Sequence, residues 1–530
     1  MELTLSNIST SLVCIVAITW FWKILKWVWL KPKMLEKCLT KQGFRGHSYR
    51  VLFGDTKEIA KMVNETTSKP MQEFSNYYIP RIFPFHHQTI KTYGEKTFVW
   101  NGPIPTVIVT NPEDIRKILM KIFDFQKTIP NPFVKRITNG LTRHEGQKWV
   151  QQRKLVNPAF HMEKLKHMVP AFHASCNEMI QEWEKMTSKT GSSEVEMWSF
   201  LHNFSADAIS RAAFGSSFQD GKRVFELLRE HISITVKSMQ SVYIPGSRFV
   251  PTETNKREAK IIKQINTLLK DMIQKRQKAM EEGEEAKDDL LGLLLKSNKE
   301  GIEQDHHHEH GNSHNKQQHV HVKMSLKEVI EECKTFYIAG QDTTSTLLVW
   351  TLVLLSKHPN WQEQLREEIL ATFGHNTPDY DGLNKLKKVN MVLHEVLRLY
   401  PPIPSLIRKL CNEMKVGDAI LPEGIQVKLS LVHVHQNEKY WGLDAKEFNP
   451  ERFSQGILQA TSGNICFFAF SWGPRICIGS NFAMMQVKVA LAMILQRFAL
   501  ELSPSYAHAP TNTRGTLRPQ FGANLVLHRI

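Results

Sequence analysis

Hydrophobic positions change their spacing several times along the chain, and each change marks an element. From Leu3 to Trp22 no residue is charged. Helical residues in that number span about 30 Å, the thickness of a bilayer's hydrocarbon core, so the run predicts a membrane-crossing helix. It ends among Trp20, Phe21, Trp22, Trp27 and Trp29, with Lys23, Lys26, Lys31 and Lys33 interleaved and only Glu2 on the other side. Interfacial aromatic rings followed by lysines predict a retained anchor over 1–30 and a cytosolic body over 31–530. A cleaved signal peptide would carry its positive charge before the apolar core and end in small residues, the reverse of this order. The sequons at Asn64 and Asn203 then face the cytosol and carry no meaning.

Beyond the anchor, apolar runs at Thr97–Trp100 and Thr106–Thr110 flank Asn101, Gly102 and Pro103, which predicts two strands joined by a turn. Helical spacing then dominates, including an amphipathic segment from Lys256 to Glu281. The stretch 282–322 breaks the pattern: it is polar, and seven of the 23 histidines fall between His306 and His321. Low apolar content predicts a solvated, disordered insert there; a metal-binding tract is the other reading of that composition. Order resumes at Ser325, which forms a capping box with Glu328. The apolar pattern continues to Ser356, a helix of about 30 residues and roughly 45–50 Å. It is apolar almost all round from Thr335, so it belongs inside a core. Another helix stops at Tyr400, because Pro401 and Pro402 cannot continue it. A last apolar helix covers Asn481–Phe498 amid short strands. The fold class that follows is mainly α with small β-sheets, one large domain behind an N-terminal transmembrane helix.

Composition adds a partner constraint. Hydrophobic residues make up 42% and charged residues 23%, ample for a core, and the formal net charge is +16. That balance favours an anionic membrane surface or an acidic protein. No long Lys/Arg tract, zinc-finger spacing or helix-turn-helix pattern stands out, so nucleic acid is not an expected partner. The seven cysteines (Cys14, Cys38, Cys176, Cys333, Cys411, Cys466 and Cys477) are scattered and odd in number. They argue for a reducing compartment and leave at least one thiol as a ligand or nucleophile.

Chemistry concentrates between Phe470 and Gly479, just ahead of the last helix. A helix N-terminus lowers a thiol pKa and stabilises the thiolate of Cys477. Glycines let the backbone approach a flat partner, and Arg475 can pair with a carboxylate. A buried structural cysteine and a nucleophile are the other readings of Cys477, although no Cys/His pairing is evident for the second. Phe470, Gly473, Arg475, Cys477 and Gly479 meet every fixed position of F-x-x-G-x-R-x-C-x-G, and so the loop resembles the haem-binding signature of the cytochrome P450 family. The resemblance implies a cytochrome P450 fold, with Cys477 as axial ligand of haem b (iron protoporphyrin IX) and a thiolate that favours O–O cleavage.

Further motifs agree with it. In the long helix, Phe336, Gly340, Thr343 and Leu347 share a face. Gly340 costs about 1 kcal/mol relative to Ala in a helix interior, a cost that a kink or widening to admit O2 would justify. Asp342 and Thr343 resemble the family's acid–alcohol pair, which implies a catalytic proton relay; a threonine bonding back to an earlier carbonyl is the other reading. Glu395 and Arg398, at i and i+3, and Arg452 resemble the family's buried Glu-Arg-Arg triad, which implies a structural lock on the cysteine loop. Trp149 and Arg153 on a basic helix, and Arg408 in the strand after Pro401, match haem propionate partners. With Arg475 and Phe470 they complete the implied cofactor-binding set. The implied substrate pocket includes Phe336 and Ala339, with Pro404 and Leu406 from the segment 404–407.

The likeness runs from the anchor to the C-terminus. Trp29–Pro32, Gly43–Gly46, Asn157–His161 and Asp444–Phe448 are most similar to the plant family numbered seventy-two. Two departures are visible. The proline-rich hinge common after such anchors is reduced to Pro32, and His435, Gln436 and Asn437 stand where relatives carry His-x-Asp. The resemblance implies a monooxygenase of the endoplasmic reticulum membrane acting on a hydrophobic plant isoprenoid (triterpenoid, iridoid or gibberellin-like). O2 and NADPH electrons from a separate NADPH-cytochrome P450 reductase would drive it, since no flavin or nucleotide domain is evident. Arg143, Lys148 and Lys154 are candidate docking charges. Two other functions are weighed: a reductase-free haem-thiolate isomerase or dehydratase of peroxides, whose kind lacks the acid–alcohol pair, and a non-catalytic haem sensor, which would not need one.

Overall fold

The uncharged N-terminal run folds as a helix over Glu2–Leu25, passes through a π-helical turn at Lys26–Leu30 and continues as Lys31–Lys41. Within it, Thr10–Lys41 is long and apolar enough to cross a membrane, and its most apolar window is wholly unburied. The helix outlasts the anchor expected over 1–30, and no hinge forms at Pro32. Proline has no N–H to offer the carbonyl a turn earlier. Tyr49 Oη donates to Val28 O at 2.7 Å instead, so that carbonyl stays satisfied. Leu35 and Leu39 on the continuation are buried.

This computed structural model describes residues 2–128, 136–215, 218–239, 249–282, 289–296, 324–512 and 515–530. Its contacts group into two compact units. The first comprises Met1–Ser68, Ile79–Thr128 and Ser405–Ser430; the second comprises Lys69–Tyr78, Ile129–Pro404 and Leu431–Ile530.

The first unit is built on a five-stranded sheet. Thr97–Asn101 pairs antiparallel with Ile104–Val109, the hairpin that the apolar runs predict. Ile104–Val109 then pairs in parallel with Gln426–Ser430, which pairs antiparallel with Ser405–Leu410, and Phe125–Lys127 closes the edge. Trp100 is fully buried; its amide donates to Asp55 Oδ2 at 2.7 Å and its indole to His47 O at 2.9 Å. Gly54 is required beside it, because a Cβ there would meet the Gly102 carbonyl at 2.5 Å.

The second unit is mainly helical. Its spine is the helix Leu326–Lys357, which opens on the capping box of Ser325 and Glu328. Of its most apolar window 72% is buried, so its hydropathy is that of a core element. Trp350 is fully buried, donates its indole N–H to Leu517 O at 2.8 Å and stacks on Tyr400 at 4.3 Å. A helix over Lys387–Leu399 ends before Pro401, as its sequence requires. The last helix is shorter than its apolar pattern: it spans Ser480–Leu495, and Phe498 opens a strand, Phe498–Leu502. That strand pairs with Asn524–Arg529, which also pairs with Ser192–Glu196. The ladder captures residues whose spacing alone reads as helix.

The front of the histidine-rich stretch also departs from expectation. Residues 290–296 are helical, Leu290, Leu291, Leu294 and Leu295 are buried, and Asp289 pairs with Arg276 at 2.6 Å. Four leucines and a buried ion pair supply the apolar contact that a solvated linker lacks. Positions 283–288 and 297–322 of the insert, with all seven histidines, lie outside the described residues.

Candidate active site

The cysteine loop is shaped by its own backbone. Ser471 N–H donates to Phe468 O at 2.8 Å, Ile476 N–H to Gly473 O at 3.0 Å, and Cys477 N–H to Phe470 O at 2.9 Å. Gly473 sits at φ +73°, a left-handed conformation that glycine adopts without strain. The turn leaves Cys477 exposed, three residues ahead of helix Ser480–Leu495, whose first turn has no side-chain cap. A helix start of this kind favours an anion such as a thiolate.

Around the thiol, one buried and one half-buried cation gather. Arg475 donates Nη2 to His144 O at 3.0 Å and to Glu145 Oε2 at 2.5 Å, and its guanidinium lies 4.4 Å from the Trp149 ring centroid. Burial pulls its pKa down while Glu145 pulls it up. Its Nε and Nη1 are buried without a hydrogen-bond partner. A buried unpaired donor costs about 1–3 kcal/mol, more for a charged group, so these atoms call for an anion. Arg153 donates Nη1 to Ile476 O at 3.0 Å; burial lowers its pKa and Cys477 raises it. The loop thus brings together Cys477, Phe470, Arg475, Trp149 and Arg153. An exposed thiol at a helix start, flanked by two buried, partnerless guanidinium nitrogens, fits a flat iron macrocycle with carboxylate arms. Sequence reading missed Glu145, whose only signal is an acid one helical turn ahead of Trp149.

Glu395, Arg398 and Arg452 also meet. Arg398 binds Glu395 through two contacts of 2.7 Å, both side chains fully buried. Its Nη1 donates to His435 O at 2.7 Å, and its Nη2 donates also to Glu447 O at 3.0 Å. Arg452 Nε lies 3.5 Å from Glu395 Oε1, and its two Nη atoms donate to Trp441 O and Asp444 O, each at 2.6 Å. The cluster staples the helix Lys387–Leu399 to the segment 435–452.

On the spine helix the two relay candidates have different partners. Thr343 Oγ1 donates to Ala339 O at 2.6 Å, the back-bonded form. Asp342 Oδ2 accepts from Thr516 Oγ1 at 2.6 Å, and its Oδ1 lies 3.3 Å from His202 Nε2. Burial raises the Asp342 pKa, but His202 and Thr516 outweigh it and hold the carboxyl below its ordinary value. Phe336 is buried and stacked on Phe160 at 5.4 Å, whereas Ala339 is exposed. Gly340 has a packing reason in place of the expected widening: a Cβ there would meet Ile209 at 3.0 Å. Pro404 is buried and accepts Val432 N–H at 3.2 Å. Leu406 and Arg408 lie on Ser405–Leu410 in the first unit, where Arg408 Nη1 donates to Ile407 O at 2.9 Å; their site roles rest on the resemblance.

Residues 78–525 match the family model described as cytochrome P450. The chain belongs to the cytochrome P450 family. Over the full length of both proteins this P450 is 50% identical to cytochrome P450 CYP72A219 of Panax ginseng. It is 48% identical, over 99% of each chain, to a Saponaria officinalis protein named echinocystic acid 23-monooxygenase, and 46% identical to cytochrome P450 72A15 of Arabidopsis thaliana over the full length of both. A solved retinoic acid-bound cyanobacterial CYP120A1 covers 86% of this chain and 96% of its own with a TM-score of 0.71; at 20% identity it shows the fold. The protein is therefore a P450 monooxygenase of the plant seventy-two type, whose family uses haem iron, O2 and a redox partner.

Proposed function

We propose that this P450 oxygenates a plant isoprenoid, a triterpenoid ahead of an iridoid or gibberellin-like compound, from the cytosolic face of the endoplasmic reticulum membrane. The observation that carries the reaction is the pair of buried, partnerless Arg475 nitrogens beside Trp149 and the exposed Cys477 thiol. The substrate class is supported by the Saponaria relative, whose name gives echinocystic acid, a triterpenoid, as what it oxygenates. Residues 1–30 act as the anchor, and the lysines after its tryptophans favour a cytosolic body.

Haem b, when bound, supplies O2 activation and transfer of one oxygen atom to a C–H bond, with the other leaving as water. Cys477 Sγ would be the iron ligand, and Arg475, Trp149 and Arg153 would hold the propionates. Asp342 takes up protons at its carboxylate, and Thr343 Oγ1 passes them on. Phe336, Ala339 and Pro404 exclude water and accept an apolar ring system. Glu395, Arg398 and Arg452 hold the loop in register.

Electrons come from NADPH through a separate NADPH-cytochrome P450 reductase. Lys154 and Lys148 are exposed, Lys148 while paired with Glu328 at 2.7 Å. Arg143 is half-buried and burial lowers its pKa, so docking falls to the two lysines. The test is product formation under ¹⁸O2 in microsomes carrying this chain and a plant reductase, with triterpenoids, iridoids and gibberellins supplied in turn. An NADPH-dependent product one ¹⁸O atom heavier from a triterpenoid is the expected result. Labelled product from another class only would overturn the substrate assignment.

A further inference from the structure

The second unit contains a cavity of about 440 Å³, lined by Trp198, His202, Arg229, Tyr337, Asp342 and Arg518 among others. Ser199, Asn203 and Arg229 at this cavity are exposed, whereas Asp342 and His202 are half-buried. It therefore runs from the surface to the acid of the spine helix.

His202 is held there in one tautomer. Its Nδ1 lies 3.0 Å from Arg229 Nη2 and 3.1 Å from Gln341 Nε2. A guanidinium only donates, so Nδ1 is an acceptor and the ring proton sits on Nε2. That Nε2–H lies 3.3 Å from Asp342 Oδ1, while Thr516 donates to Oδ2. Burial lowers the His202 pKa, Asp342 raises it, and Arg229 and Arg518 lower it, the net shift being downward. These are the charged groups that face it from helix Phe218–Met239, from the spine helix and from strand Arg518–Pro519. The ring stays neutral and donates to an ionised carboxylate.

We propose that this cavity is the port through which solvent protons reach Asp342, and that His202 is the positioning residue that keeps the carboxylate turned toward it. The inference rests on reading Asp342 and Thr343 as the proton-handling pair. The step is a single proton transfer: a hydronium ion in the cavity breaks one O–H bond, Asp342 gains one, and water remains. His202 keeps its own proton and supplies the hydrogen bond that holds Asp342 ionised until then.

The test uses the full-length holoenzyme with a plant reductase. It compares His202→Phe, which has no donor, with His202→Gln, whose amide can donate. Product per NADPH, peroxide release and the solvent deuterium isotope effect are read across pH, with the carbon monoxide spectrum as the check on haem. His202→Phe is expected to keep haem, lose coupling several-fold, raise the isotope effect and move the coupling midpoint to higher pH; His202→Gln is expected to recover most of this. Unchanged coupling and isotope effect in His202→Phe, with Asp342→Asn uncoupled, would overturn the port and leave the pair standing. Unchanged coupling in Asp342→Asn would instead remove the pair. If His202→Phe loses haem, imidazole C2–H exchange on the resting enzyme decides. A His202 midpoint below the ordinary 6.5 that falls further in Asp342→Asn supports the contact, and an ordinary midpoint unmoved by that change overturns it.

Discussion

Arg475 illustrates what single residues reveal and conceal. Its place in the cysteine loop makes it a visible candidate, because the spacing of Gly473, Arg475 and Cys477 is local. Its partner Glu145 lies 330 positions away, and no local pattern marks it. His202 and Thr516 escape for the same reason: only folding brings them to Asp342. Glu332 is a further case, a fully buried carboxyl lying against Gly140, where burial pushes its pKa from 4.5 up to about 7. A raised folded pKa means that the folded state binds the proton more tightly. The resulting stability is present below pH 4.5 and is lost as pH rises through about 7. The swing is on the order of 3 kcal/mol. Glu332→Gln is therefore expected to flatten the fall in melting temperature between acid and alkaline buffer. An identical fall in both proteins would contradict this.

At the scale of elements, sequence reading fixes helices well where caps and prolines bound them. The spine helix begins at its capping box, and the helix before Pro401 stops on time. It fails where a tertiary partner competes, as at Phe498, which the strand ladder takes from the last helix. The glycine of the spine helix is another such place. Its sequence cost is visible, but the reason, Ile209 at 3.0 Å, belongs to a neighbouring helix. Gly340→Ala gains about 1 kcal/mol of helix propensity and loses about 1–3 kcal/mol to overpacking. Net destabilisation is expected in denaturant titration, with recovery when Ile209→Val is added. A more stable single variant would show that the helices separate freely. The Glu395–Arg398–Arg452 cluster is stiffer. Glu395→Ala strands two buried cations, which costs about 3–5 kcal/mol. Expression without haem is the expected outcome, and full haem content with ordinary stability would remove its locking role.

At the scale of the whole molecule, the order of elements does not reveal how they are shared. The first unit's sheet takes strands from 97–127 and then from 405–430, so a late segment completes an early one. Strand pairing across some 300 positions has no signature in hydrophobic spacing, which is why the sheet's membership is not legible in the sequence. The N-terminal apolar helix is legible in its twenty uncharged residues from Leu3. Its continuation through Pro32 is not, because that depends on Tyr49 reaching Val28. Fold, N-terminal apolar helix and cysteine loop nevertheless converge on the proposed chemistry, in which Cys477 would deliver a thiolate to haem iron. The carbon monoxide difference spectrum of the reduced full-length protein tests this most directly, taken beside Cys477→Ala. The account predicts the red-shifted band of thiolate-ligated haem in the unaltered chain and its loss in the variant. The same band in Cys477→Ala would contradict it.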